Sequence, residues 1–535
     1  MTTDMSVKRQ NPPLICTDDG WLLSSPPPLA IEEIKEKMVT AYADAPAALW
    51  WSIGDHEIYH FETKIGERVD EALRGDEAIA NRAIATNFRH LVETCGGPLN
   101  ALIGLCREAD LSFFPRVRMN SHYDVDPGAP GWGRFRREHP ELLIGRPGEE
   151  LPPGGIEHGI RTGLNYVFPA VRQYMAAIIC EIFEDFDVDG VEMDFMRHPA
   201  FFRVDEAYQN RHHMTDLLSH VRQRLDQAGR ERGKYIQLAV RVPPTLADAA
   251  RIGLDVAAWM QAGLVDIVVA GGGFIPYETP IEEFVRAGEA RGVQIYGCIE
   301  ATRHADEKNL RAIASRFWAA GAAGIYLYNF FTAGPEWNER VLNQLADPAA
   351  LKYLDKRYEL DQSARFTTPY HCAYPVDNIE ATFRYANPAA QLPIILEQSL
   401  AGHAPQCSLE IADDLAAARA AGVLARCLLT LRFDTLSPDD EIEVKVNQTN
   451  LQAAARHGPF YNWKRQEIEA QFWTRYPAQI VEVEQPWAHL EFEVDCPPLR
   501  QGKNELEIHL KTRSRNQGAP LVLQAVELLV AYEER

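Results

Sequence analysis

No stretch of this chain approaches the roughly 20 apolar residues that a bilayer-spanning helix needs, so no transmembrane helix is expected. The N-terminus runs from Met1 to Pro12-Pro13 without an apolar segment, so no secretory leader is expected either. Nine cysteines include no C-x-x-C pair, which argues against a disulfide framework or a cysteine zinc site. Cys106, Cys180, Cys298 and Cys427 fall in apolar runs and read as core thiols, which favours a reducing, cytoplasmic setting. Excess basic charge is also lacking. The formal net charge is -22, and neither nucleic acid nor an anionic membrane surface attracts such a chain.

What is present is alternation. Up to about residue 350, short apolar runs alternate with amphipathic helical stretches. The strand-like runs are Leu14–Thr17, Ala47–Ile53, Leu111–Asn120, Gly190–Phe195, Ile236–Val242, Asp266–Ala270, Gln294–Glu300 and Gly324–Phe330. Between the third and fourth, a helix is predicted to open at Pro169, where proline suits the first turn. Its apolar stripe is Val171, Met175, Ile178, Ile179, Ile182 and Phe186. Continuous apolar strands separated by helices imply a parallel sheet covered by helices, and eight such units favour a closed (β/α)8 TIM barrel. No G-x-G-x-x-G follows the first strand, which weakens the open-sheet, dinucleotide-binding alternative. After about residue 358 the runs become alternating strands separated by turns such as Ser437-Pro438-Asp439-Asp440, as in an antiparallel β-sandwich. The expected division is a barrel over 11–357 and a sandwich over 358–535.

Barrel enzymes keep their chemistry at the C-terminal ends of the strands. On the fourth strand, period-2 alternation puts Glu192 and Asp194 on one side. Buried carboxylates are costly unless something pairs or uses them. Asp194 lies nearer the strand end and is the better catalytic candidate; Glu192, one layer deeper, suits a partner role. Glu300 ends the seventh strand, so the two acids can face one another across the mouth, as glycoside hydrolysis requires. On the third strand Arg116, Arg118, Asn120 and His122 share a parity, and Arg118, Asn120 and His122 are candidates to position a polar ligand. Arg116 is read equally as a salt-bridge partner of Glu192. Further candidates at the mouth are Arg197, His198, Trp51, Tyr328 and Asn329. Asp18 and Asp19 suit hydroxyl binding, a cation or a turn before Gly20.

Several segments together resemble the bacterial family-10-like glycosyl hydrolase barrels. They are Thr17-Asp18-Asp19-Gly20-Trp21, Arg116-Val117-Arg118-Met119-Asn120, Leu164-Asn165-Tyr166, Pro169-x-Val171-Arg172 and, most specifically, the run from Asp187 to Pro199. The resemblance covers about residues 11–350 and implies a carbohydrate-active enzyme. It implies the strand-four aspartate as an active-site residue and a jelly-roll-like domain after the barrel. Similarity to clan-A glycosidases would make Asp194 the acid/base and Glu300 the nucleophile. Amylase-like and α-galactosidase-like barrels would instead make Asp194 the nucleophile. Clan-A enzymes carry Asn-Glu where this chain has Met193-Asp194, so the allocation of roles stays open.

The leading expectation is thus a glycoside hydrolase of carbohydrate metabolism using Asp194 and Glu300, with a carbohydrate as partner. The alternative is a non-catalytic carbohydrate-binding barrel. No H-x-H marks the first strand and no lysine the sixth, so amidohydrolase and Schiff-base aldolase chemistry are not expected. No cofactor or metal is expected, although a divalent ion at Asp18/Asp19 stays open. The sandwich is left to glycan binding, cleft completion or homo-oligomer formation.

Overall fold

The computed structural model describes residues 11–43, 45–54, 57–72, 79–120, 132–152, 158, 160–196, 199–271, 279–300, 307–328, 335–360, 391–397, 404–458, 461–466, 481–486, 488–514 and 520–533. At 21, 79–81, 300, 335–339, 461–466 and 481–486 the description is of the backbone alone.

Eight parallel strands close into a barrel: β1 (Leu14–Asp18), β2 (Ala47–Ser52), β3 (Ser112–Arg118), β4 (Gly190–Asp194), β5 (Gln237–Val242), β6 (Ile267–Ala270), β7 (Gln294–Glu300) and β8 (Gly324–Tyr328). Each strand pairs with its neighbours in sequence, and β1 pairs with β8 through Leu14↔Ile325, Ile15↔Tyr326 and Cys16↔Leu327. These strands are buried on both faces, and alternation divides their side chains between two cores. Val191 and Met193 of β4 join the layer between strands and helices. Their neighbours Glu192 and Asp194 point into the barrel, each with no exposed surface.

Proline at the first turn starts the helix Pro169–Asp185, as its fixed φ and missing donor favour. Val171, Met175, Ile178, Ile179 and Ile182 are all buried against the barrel. Burial of each such side chain contributes on the order of 1.5–3 kcal/mol. The next helix, Arg211–Arg232, ends at Gly233, whose φ of 67° supplies the left-handed turn that stops it. Inside the barrel, a Cβ on Gly190 would lie 2.3 Å from the Phe114 ring. That glycine makes room for an aromatic layer in which Trp50 and Phe114 stack with centroids 4.6 Å apart.

Beyond the barrel, ten strands among the described residues form two antiparallel sheets around one apolar core. They are β9 (Lys356–Glu359), β10 (Ile394–Leu396), β11 (Gln406–Ile411), β12 (Leu424–Asp434), β13 (Glu441–Val446), β14 (Thr449–Leu451), β15 (Ala455–His457), β16 (Ala488–Glu493), β17 (Gly502–Thr512) and β18 (Leu521–Tyr532). One sheet runs β9-β18-β12-β16-β15, with β10 also on β18; the other runs β11-β17-β13-β14. Alternate residues of β18 are buried, so one face of each sheet meets the other, as in a sandwich. The sequence reading passes over β9, β10, β11, β14 and β15: β9, β10, β14 and β15 are only three or four residues long, whereas Cys407–Ile411 does alternate apolar and polar residues and was legible as a strand. Among the described residues, no helix is long and apolar enough to cross a membrane.

Candidate active site at the barrel mouth

The inward residues at the C-terminal ends of β1, β3, β4, β5 and β8 form one charged layer. Register sets it up: Arg116 lies beside Glu192, Arg118 beside Asp194, and Asp194 beside Arg241. Arg241 donates Nε to Asp194 Oδ1 at 2.9 Å and Nη2 to Oδ2 at 2.8 Å. Arg116 Nη2 donates to Asp194 Oδ2 at 3.0 Å, and the Met196 amide to Oδ1 at 2.9 Å. Arg116 also lies 3.3 Å from Glu192 through Nε, and its Nη2 donates to Asp19 at 3.0 Å. The Tyr326 hydroxyl is 3.0 Å from both Glu192 oxygens, and the Tyr328 hydroxyl donates to Asp19 at 3.2 Å. Both buried guanidiniums lie over the Tyr328 ring, at 5.2 Å for Arg116 and 4.3 Å for Arg241.

The two acids of β4 are driven apart in proton affinity. Burial pushes the Glu192 carboxyl up to about 8, with Asp194 adding to the rise and Arg116 opposing it. Burial acts on Asp194 in the same sense, but the charges of Arg241 and Arg116, with hydrogen bonds from Arg241 and Met196, hold it below its usual range. For Arg116 and Arg241, burial is likewise outweighed by the surrounding carboxylates, so both remain cations. Arg116 Nη1, Arg118 Nε, Arg241 Nη1 and Trp50 Nε1 are buried with no hydrogen-bond partner among the described residues. Those donors can receive hydroxyl oxygens or ordered water.

Of the expected residues, Asp19, Arg118, Glu192, Asp194 and Tyr328 are brought together here. Arg118 is the outermost, its side chain 10% exposed and its Nη2 3.2 Å from Asp19. Glu300 ends β7, and its backbone lies beside Tyr328. His122, Arg197, His198 and Asn329 lie outside the described residues.

Other expectations are corrected. Trp51 is not at the mouth: it has the opposite parity to Trp50 and is sealed between strands and helices. Asp18 faces the same outer layer, near Tyr42, and Oδ1 accepts the Gly20 amide at 2.7 Å in the turn that follows. Consecutive strand residues point to opposite faces, so Asp18 and Asp19 do not form a joint cation site. Asn120 is a loop clamp: Nδ2 donates to the carbonyls of Leu164 and Ala200 at 2.9 and 2.7 Å, and Oδ1 accepts the Leu164 amide at 2.9 Å. Asp194 was expected at an open rim, yet it has no exposed surface and receives four hydrogen bonds. The sequence reading missed Arg241 and Tyr326. Arg241 is the one charge in β5 and shares parity with Ala239, a signal that pairing with the β4 acids would have exposed.

No protein-family model matches the chain, and no curated protein matches it. Solved structures give a distant likeness. A Paenibacillus chitinase, ChiW, is 13% identical with a TM-score of 0.35, over 63% of this chain and 33% of its own. The α-L-fucosidase isoenzyme 2 of Paenibacillus thiaminolyticus is 11% identical with a TM-score of 0.38, over 64% of this chain and 49% of its own. An α-amylase of Geobacillus thermoleovorans is 11% identical with a TM-score of 0.35, over 94% of this chain and 100% of its own. The chain thus spans a third to a half of the length of the first two. All three are glycoside hydrolases; the barrel assignment rests on the strand order itself.

Proposed function

We propose that the chain is a glycoside hydrolase that cleaves a glycosidic bond in a glycan or oligosaccharide, using Asp194 and Glu300 as its carboxyl pair. The observation that carries this reading is that Asp194, at the end of β4, is held ionised by two buried guanidiniums. A carboxylate so held cannot protonate a leaving group. It suits the nucleophile, or the anion that stabilises an oxocarbenium-like transition state. Proton transfer to the glycosidic oxygen then falls to Glu300 at the end of β7, the allocation of amylase-like rather than clan-A barrels. In the retaining form, Asp194 takes the sugar as a glycosyl ester while Glu300 protonates the departing oxygen; Glu300 then deprotonates the water that hydrolyses the ester. Arg118 and the unpartnered N–H groups of Arg116 and Arg241 supply donors to sugar hydroxyls. The family-10-like assignment and the 11–357 and 358–535 domain limits belong to this proposal.

A second reading has its own support. Asp194 is fully buried and its oxygens already accept four hydrogen bonds, which favours a carbohydrate-binding barrel without catalysis. A panel of aryl glycosides and oligosaccharides separates the two. The hydrolase reading expects turnover that Glu300→Gln lowers about 10²–10⁴-fold, as loss of a general acid does, with the unfolding midpoint unchanged. Glycan binding by calorimetry without cleavage anywhere in the panel would replace it with the second reading. Turnover unaffected by Glu300→Gln would remove Glu300 from the mechanism.

A further inference from the structure

The sandwich holds a cluster that the barrel chemistry does not use. On the antiparallel pair β15–β16, His457 lies directly opposite His489, and Ala455 lies opposite Glu491. Residues two apart on a strand share a face, so His489 and Glu491 project together, and His457 joins them across the ladder. His457 Nε2 is 3.3 Å from Glu491 Oε2, and His489 Nε2 is 3.6 Å from Glu491 Oε1. The two imidazole rings are 4.6 Å apart at an interplanar angle of 30°. One donor atom from each of the three residues lies within 4.8 Å of the others.

Donor atoms gathered within 4.8 Å can converge on one ion through small side-chain rotations. A tetrahedral zinc ion with bonds of about 2.0–2.1 Å separates its ligand atoms by about 3.3–3.4 Å. Two imidazoles and one carboxylate are a nitrogen-rich donor set that selects first-row transition ions over magnesium or calcium. Side-chain exposures of 35%, 17% and 27% for His457, His489 and Glu491 give an ion a route in from solvent. Arg432 pairs with His489 in register on β12. Its charge is already engaged by Glu527, Nε to Oε1 at 3.0 Å.

We propose that His457, His489 and Glu491 form a binding site for a divalent transition-metal ion of the zinc type. Three protein ligands leave a fourth position for water or a further group. The ion ties the short strand β15, only three residues long, to its neighbour β16. The site is independent of the barrel mouth and of the hydrolase reading.

Titration calorimetry of the tag-free, chelator-treated full chain with zinc chloride tests it, alongside the visible spectrum of the cobalt-loaded protein. One equivalent should bind, the cobalt form should show ligand-field bands of tetrahedral intensity, and the sandwich unfolding transition should rise with zinc. His489→Gln and His457→Gln should each weaken binding at least tenfold. Because these side chains are partly exposed, both variants should keep the metal-free unfolding midpoint. Absence of stoichiometric binding, or binding that survives both substitutions, would leave the cluster as a hydrogen-bonded His–Glu trio and overturn the proposal.

Discussion

The barrel is plugged at both ends by polar groups, and the two plugs differ in kind. At the N-terminal end Asn11 donates from Nδ2 to the side-chain oxygens of Gln237 and Gln294, at 3.0 and 2.9 Å. These are neutral amides, which cost less to bury than charges do, although Asn11 Oδ1 has no hydrogen-bond partner among the described residues. At the C-terminal end the plug is ionic: Asp19, Arg116, Arg118, Asp194 and Arg241 pair with one another, and Arg116 also lies beside Glu192, a carboxyl whose proton is held tightly. Desolvating that many charges is expensive, and apolar residues of similar volume would often serve stability as well or better. One end closes the barrel economically; the other spends stability where barrel enzymes react. That contrast is the physical reason to look for chemistry at the mouth.

Substitutions can break the comparison. Asp194→Asn should have the largest effect, because it takes from Arg241 its carboxylate partner and from Arg116 one of its carboxylates, and places an amide donor against both buried cations. About 3–5 kcal/mol of stability should be lost by denaturant unfolding, and a variant as stable as the parent would refute the ionic account of this layer. Any loss of turnover in Asp194→Asn must therefore be read beside its stability, which makes Glu300→Gln the cleaner test of mechanism.

The next effect is one of pH. Glu192 is raised from 4.5 to about 8, so the folded state binds its proton more tightly than the unfolded chain does. Its contribution is complete below about 4.5 and fades as pH climbs towards about 8. Asp194 has the opposite sign, its contribution being present above its ordinary value of 3.8 and lost as pH falls. Glu192→Gln should flatten the stability decline on the alkaline side while leaving the acid limb in place. An unchanged profile in thermal unfolding would show that Glu192 does not hold its proton. The smallest effect belongs to the opposite plug: Gln237→Ala should cost about 1 kcal/mol and leave turnover untouched.

How much of this was readable from residues alone depends on which force sets each feature. The eight strands stood out because burial on both faces demands unbroken apolar runs, as in Ile267–Ala270. The parity of Glu192 and Asp194 followed from the pleat. Trp51 did not, since Trp50 and Trp51 are the same residue type and only the register of β2 decides which one faces inward. Asn120 had the right parity, but its role depends on Leu164 and Ala200, which the chain brings back from 44 and 80 positions away. Arg241 escaped for the same reason: its partner is on another strand. In the sandwich, short edge strands such as Ala455–His457 carry too few residues for a period to register, so the histidine pair across β15 and β16 was invisible.

The seam between β1 and β8 has a consequence for how the chain comes off the ribosome. The Thr17 hydroxyl bonds the Leu327 carbonyl, 310 positions later. Loop closure over such a span is entropically slow and comes late in assembly. Until translation passes Tyr328, β1 must wait with one unpaired edge, exposing the very hydrogen-bonding groups that invite mispairing with other nascent chains.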